Sequence, residues 1–148
     1  MLSEIFDLKR IKLDLESTTR DDVFQELVGT IVGNDSELNP RDLLAAVSLR
    51  EGKMNTHIVP GIAVPHGYCR TVDGIIGAIG FSKAGIRYYS DDRGDPVHLF
   101  FMILMDESSR EQHLQVSSHL WDLINNEAFS HIQKQGNPQE LYSFISQY

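Results

Sequence analysis

The stretch Val97-His98-Leu99-Phe100-Phe101-Met102-Ile103-Leu104-Met105 constrains the fold more than any other part of the chain. A half-exposed strand alternates apolar and polar residues, whereas this run is apolar at odd and even positions alike, interrupted only by His98. Both faces of such a strand must be covered. The run is also far too short to cross a bilayer as a helix. It therefore predicts a central strand packed between two layers, and the rest of the chain must supply those layers.

Amphipathic segments with capping residues stand on both sides of it. Thr19 is placed to cap a helix with Asp21 and Asp22 in its first turn, where the macrodipole favours negative charge. Val23, Phe24, Leu27, Val28, Ile31 and Val32 follow at helical spacing, and Gly33-Asn34 is a stop signal. Asn39-Pro40 opens a second helix carrying Leu43, Leu44 and Val47 to about Glu51-Gly52, which puts Arg50 near its C-terminus. Downstream, Ser108 and Glu111 have the spacing of a capping box for a helix to about Asn125, with Leu114, Ser117, Leu120, Trp121 and Ile124 along one face. Short helices near Asn126 to Gln133 and Pro138 to Gln147 complete the set.

Further strands are read at Arg10 to Leu15, where charged and apolar residues alternate, at Ile62 to Val64, and at Ile75 to Ser82. Gly85 to Tyr88 reads as a partner strand or a surface ribbon, ending in the turn-rich run Ser90 to Pro96. Met54 to Gly67 contains two prolines and two glycines, so it reads as loop, brief strand and loop. The order implies an α/β (α+β) fold: a mixed sheet of about five strands flanked by helices, in a single domain over residues 1–148.

Composition narrows the function. With 148 residues, 41% of them hydrophobic, the chain is long enough to bury a proper core as one domain. A net charge of -8 and the lack of a basic run argue against a nucleic-acid partner. Cys69 is the only cysteine, which rules out an internal disulfide and suits a reducing, cytoplasmic setting. Charges throughout Met1 to Arg20 are unlike a signal peptide, and no membrane insertion is expected.

The chemistry concentrates at Gly61-Ile62-Ala63-Val64-Pro65-His66-Gly67. Pro65 fixes its own φ and Gly67 lets the chain turn freely, which gives the histidine between them a defined direction. A phosphoryl acceptor needs a neutral imidazole nitrogen with a lone pair, and either ring nitrogen of His66 is a candidate. Arg50 is the candidate cation for the charge on the transferring group, and His113 and Thr56 are candidate hydrogen-bond donors to its oxygens. Glu51 reads as structural, pairing with Arg50 or a nearby basic residue. Each has a plainer reading: His66 as a loop histidine, Arg50 as a cation favoured by a helix C-terminus. A metal site built from His57, His66, Cys69 and His113 lacks a second compact ligand pair.

Arg50-Glu51, Asn55-Thr56 and Gly61 to His66, with Val97 to Phe101 and Glu111-Gln112-His113-Leu114 downstream, resemble the mannitol/fructose-type enzyme IIA domains of the bacterial phosphotransferase system. The stand-alone nitrogen-regulatory branch is closest by length. The resemblance covers nearly the whole chain and is strongest from Arg50 to His66. It implies a phosphocarrier without a cofactor, whose His66 accepts a phosphoryl group from an HPr-type protein with Arg50 and His113 beside it. The group then passes to an enzyme IIB cysteine, or its presence is read by a regulatory target. Docking is expected to be transient, through a modest apolar patch around His66. The chain departs from the pattern between Glu51 and Gly61. There the family usually has small residues, often Ser-Thr-Gly, and here His57 is followed by Ile58-Val59-Pro60. A bulky His57 would narrow the pocket, add a polar group to it or point into solvent. The departure admits a second expectation, a phosphorylation-incompetent regulatory module of the same fold that binds proteins.

Overall fold

A computed structural model of the protein describes all residues except 34–36, 88–93, 133 and 135. Among the described residues, six strands form one mixed sheet: β1 (Ile11–Lys12), β2 (His57–Val59), β3 (Ile62–Ala63), β4 (His66–Tyr68), β5 (Ile75–Ile86) and β6 (Val97–Met105). Six α-helices accompany them: α1 (Leu2–Ile5), α2 (Arg20–Val32), α3 (Pro40–Lys53), α4 (Arg110–Ile124), α5 (Glu127–Ile132) and α6 (Pro138–Ile145). The strand order is β1-β5-β6-β3-β2, with β4 also paired to β6.

The apolar run is the central strand β6, buried on both sides. Leu99, Phe101, Ile103 and Met105 join one core with residues of α1, α4, α5 and α6. Phe100, Met102 and Leu104 face the opposite way, into a core with α2 and α3. Truncating a ring such as Phe101 to alanine removes about 3–5 kcal/mol of packing and transfer free energy. The caps of α2 and α3 follow the expected chemistry: Thr19 Oγ1 accepts from the Asp22 N–H at 3.2 Å and Asn39 Oδ1 from the Arg41 N–H at 2.9 Å. Each is worth about 1 kcal/mol. Gly33 ends α2 at φ 49°, while Asn34 lies outside the described residues.

Several expectations need correction. The mixed sheet flanked by helices is the fold expected, but the Met54 to Gly67 segment pairs more than its prolines and glycines suggested. β2 runs antiparallel to β3, and β3 and β4 lie end to end along one edge of β6, both parallel to it. Val64-Pro65 is the joint between them. The Arg10 to Leu15 strand shrinks to Ile11–Lys12, since the Arg10 guanidinium is drawn back to the carbonyls of Gly77 and Ile5 and a 3-10 turn occupies Leu8–Arg10. Gly85-Ile86 continues β5 past a register shift between Phe81 and Ile86, and Tyr88 and the Ser90 to Arg93 part of the turn run lie outside the described residues.

The Ser108–Glu111 capping box does not form. Ser108 and Ser109 hydroxyls both donate to Asp106 Oδ1, at 2.9 and 2.7 Å, and the Gly74 N–H donates to Oδ2 at 3.0 Å. Asp106 therefore organises the entry to α4, and the hydrogen bonds from Ser109, Gly74 and Ser108 hold its carboxyl down at about 2. The core face of α4 is also rotated from the expected one. Val116, Leu120 and Leu123 are buried, whereas Leu114 and Trp121 are exposed.

Gly67 has a different role from the expected free turn. Its φ is not positive, and a Cβ there would stand 2.7 Å from the Ala46 carbonyl carbon and oxygen. The absent side chain lets β4 press against the middle of α3, which brings the end of α3 to the start of β4.

Candidate functional site

His66 is the first residue of β4 and is half-buried. Its Nδ1 lies 2.9 Å from the Val64 carbonyl oxygen. A carbonyl only accepts, so this bond requires hydrogen on Nδ1 and leaves the lone pair of the neutral ring on Nε2. Burial lowers the His66 pKa most; the Val64 bond opposes it, the charge of Arg50 lowers it again, and Glu51 exerts the smallest, raising, effect. The ring is thus held neutral where an ordinary histidine is partly protonated.

Two other elements bring groups to it. The first turn of α4 carries His113, whose ring centroid is 5.2 Å from that of His66 with a tilt of 39°. Burial, then the charges of His66 and Arg50, depress the His113 pKa as well. The last turn of α3 carries Arg50, whose Nη1 donates to the Met54 carbonyl at 2.7 Å and so satisfies a helix-end acceptor. That contact engages one of five guanidinium N–H donors. Among the described residues no carboxylate forms an ion pair with Arg50.

Arg50, Thr56, His66 and His113 line a single pocket of about 400 Å³. The structure thus gathers all four expected site residues, which lie far apart in the chain. Thr56, however, is engaged elsewhere than its expected role requires. Its hydroxyl hydrogen goes to Glu51 Oε2 at 2.8 Å and its N–H to Oε1 at 3.0 Å, so it holds the loop and offers no hydroxyl proton to a phosphoryl oxygen. Glu51 is structural as expected, but its partner is Thr56. His57 is buried in β2 and is not part of the pocket wall, so the bulky residue neither narrows the pocket nor reaches solvent.

Sequence reasoning missed four participants. The Val64 carbonyl has no side-chain signature at all. Asn55 turns its Oδ1 back onto the His57 N–H at 3.2 Å and lines the pocket. Ser117 and Trp121 also line it, and the interval of four that separates His113 from Ser117 and Ser117 from Trp121 is the signal that places the three on one face of α4. The arrangement is one neutral nucleophilic nitrogen, one cation and a second imidazole in a partly desolvated pocket, which suits transfer of an anionic group.

Comparison with known proteins gives the family of the chain. Residues 4–148 match the family described as the phosphoenolpyruvate-dependent sugar phosphotransferase system, EIIA 2. The chain is 36% identical over 127 residues to a fructose-specific EIIABC component from Bacillus subtilis, covering 85% of this chain and 20% of that protein. It is 32% identical over 121 residues to a fructose-specific EIIA component from Haloferax volcanii, covering 80% of this chain and 77% of that one. Among solved structures it resembles the nitrogen regulatory protein IIA-Ntr from Neisseria meningitidis, with a TM-score of 0.86, 26% identity and coverage of 97% and 98% of the two chains. No helix among the described residues is long and apolar enough to cross a membrane. The chain belongs to the EIIA 2 family of the phosphoenolpyruvate-dependent sugar phosphotransferase system.

Proposed function

We propose that the protein is a cytoplasmic phosphocarrier that takes a phosphoryl group on Nε2 of His66 from the phosphohistidine of an HPr-type protein. The observation that carries this reading is the Nδ1 bond to Val64, which leaves Nε2 as the nucleophilic nitrogen in a pocket shared with Arg50 and His113. The Nε2 lone pair forms the new N–P bond as the donor's N–P bond breaks and its electron pair returns to the donor imidazole. Nδ1 keeps its hydrogen, and the Val64 carbonyl stabilises the positive charge that the phosphorylated ring acquires. Arg50 and His113 stabilise the charge spread over the equatorial oxygens, each as a positioned donor in a low-dielectric site.

In the onward step a thiolate of an enzyme IIB domain attacks phosphorus, the S–P bond forms, and the N–P pair returns to Nε2. Exposed Met54, Ile58 and Trp121 beside the pocket supply the apolar surface on which either partner docks briefly. The two fructose-specific relatives support an enzyme IIB of fructose type as the receiver. The nitrogen-regulatory neighbour supports a second reading, in which a regulatory target senses the phosphorylation state.

The test is incubation with phosphoenolpyruvate, enzyme I and an HPr-type carrier, followed by intact-mass measurement. An acid-labile, base-stable gain of about 80 Da, absent from His66→Ala, is expected for one phosphoryl group. No gain in the wild type would leave the phosphorylation-incompetent binding module, and a gain persisting in His66→Ala would remove His66 as the acceptor. Adding an enzyme IIB domain then separates the readings, because only the transport role discharges the group to a thiol.

A further inference from the structure

Glu51 is a buried carboxylate, 5% exposed, that the transfer steps above do not use. Desolvating a carboxylate is costly unless hydrogen bonds compensate, so its place here needs a reason. From it a continuous run of hydrogen bonds leads to the acceptor ring. Glu51 takes both the N–H and the hydroxyl of Thr56, at 3.0 and 2.8 Å. The Thr56 carbonyl accepts from the Val64 N–H at 3.0 Å, and the Val64 carbonyl accepts from His66 Nδ1 at 2.9 Å.

We propose that Glu51 is a positioning residue for His66: acting through Thr56 and the Val64 backbone, it aims the Val64 carbonyl so that the imidazole stays in the Nδ1–H tautomer with Nε2 free. The inference deepens the phosphocarrier reading and rests on His66 being the acceptor.

The geometry around Val64 favours such a relay. Its N–H is tied to Thr56, and the next carbonyl along, that of Pro65, accepts from the Ile103 N–H at 2.9 Å in the central strand. The Val64 carbonyl between these two anchors is therefore set by the backbone on both sides. Pro65 has no N–H to compete for acceptors. A carboxylate suits the far end because it is acceptor-only and its two oxygens take two donors from one residue. Its negative charge also opposes that of Arg50 at His66, and it balances the cationic ring that forms when Nε2 carries phosphorus and Nδ1 keeps hydrogen.

Long-range proton–nitrogen correlation spectra of ¹⁵N-labelled protein report the His66 tautomer without any phosphorylation. The wild type is expected to show hydrogen on Nδ1. Thr56→Val keeps the shape but deletes the hydroxyl; it is expected to mix the tautomers and slow phosphorylation by about tenfold, and Thr56→Ser is expected to restore both. Glu51→Gln should act in the same direction and lower the His66 titration midpoint. Should Glu51→Gln fail to fold, the Thr56 pair decides. A wild-type tautomer in Thr56→Val overturns the proposal, including the case in which the rate falls only with the folded fraction. A tautomer that shifts as expected in a protein that takes no phosphoryl group overturns the phosphocarrier reading and leaves the hydrogen-bond relay standing.

Discussion

Gly67→Ala tests the packing on which the site depends. The added methyl would stand 2.7 Å from the Ala46 carbonyl carbon and oxygen and 3.0 Å from the Val47 nitrogen. Comfortable contact begins at about 3.5 Å, so the overlap is about 0.5–0.8 Å with three backbone atoms at once. None of these can rotate away, because all belong to the middle of α3. The helix must back off from β4 as a body, loosening the fully buried Leu43 and Val47. The cost sits at the upper end of overpacking, about 3 kcal/mol, which lowers the melting temperature by roughly 6–12 °C for a chain of this size. Arg50 and Glu51 ride on α3 and His66 on β4, so a displacement approaching 1 Å is expected to slow phosphorylation by up to about 100-fold even in the folded fraction. Thermal unfolding followed by circular dichroism and single-turnover phosphorylation well below the transition measure the two effects. Gly29→Ala is the control: it lies exposed in α2 with nothing within 4 Å of the added methyl. That change should stabilise by about 0.5–1 kcal/mol. A Gly67→Ala protein that melts and reacts like the wild type would refute the close-approach argument.

Phosphorylation should depend on pH through His66. Its folded pKa lies below 6.5, so the rate is expected to be flat through neutral pH and to fall only as pH drops through that lowered value. Arg50→Ala should move this acid limb upward, because the guanidinium charge helps depress the pKa, and should cut the plateau rate by about 100-fold. An acid limb at or above 6.5 in the wild type would contradict the burial argument. The same shifts in His66 and His113 predict stability that is complete above the unfolded pKa and lost as pH falls through the folded values, seen as a falling melting temperature on acidification. Glu26 gives a second, lower window. Burial opposes its ionisation, but hydrogen bonds from Lys12, the Ser17 hydroxyl and the Glu16 and Ser17 N–H groups outweigh this and hold its pKa at about 2. Its contribution is therefore present above pH 4.5 and lost as pH falls toward 2. Glu26→Gln should remove that acid dependence and cost about 1–2 kcal/mol at neutral pH, measured by denaturant titration.

What could be read in advance depended on whether a signal was local. Thr19, Asn39 and Pro40 act within one helical turn, and they begin α2 and α3 where their chemistry requires. Ser108 failed as a cap because Asp106, two residues away, took its hydroxyl and that of Ser109 while also holding Gly74 just before the start of the neighbouring strand β5. Leu114 and Trp121 looked like core because helical spacing identifies a face without saying what lies opposite it. At the site, His66, Arg50 and His113 were identifiable as residues, whereas the Val64 carbonyl and the burial of Glu51 left no mark on side-chain type.

By itself, the sequence determined that Val97 to Met105 must be covered on two faces, that helices must provide the cover, and that His66 was the residue to examine. These follow from residue polarity and short-range backbone preferences, which act over a few positions. Only the tertiary structure decided which nitrogen of His66 keeps its hydrogen, which residue Glu51 holds, and why residue 67 has no side chain. Those outcomes depend on backbone atoms of Val64, Thr56 and Ala46, groups that every residue carries and that acquire a role only when the folded chain places them opposite a partner.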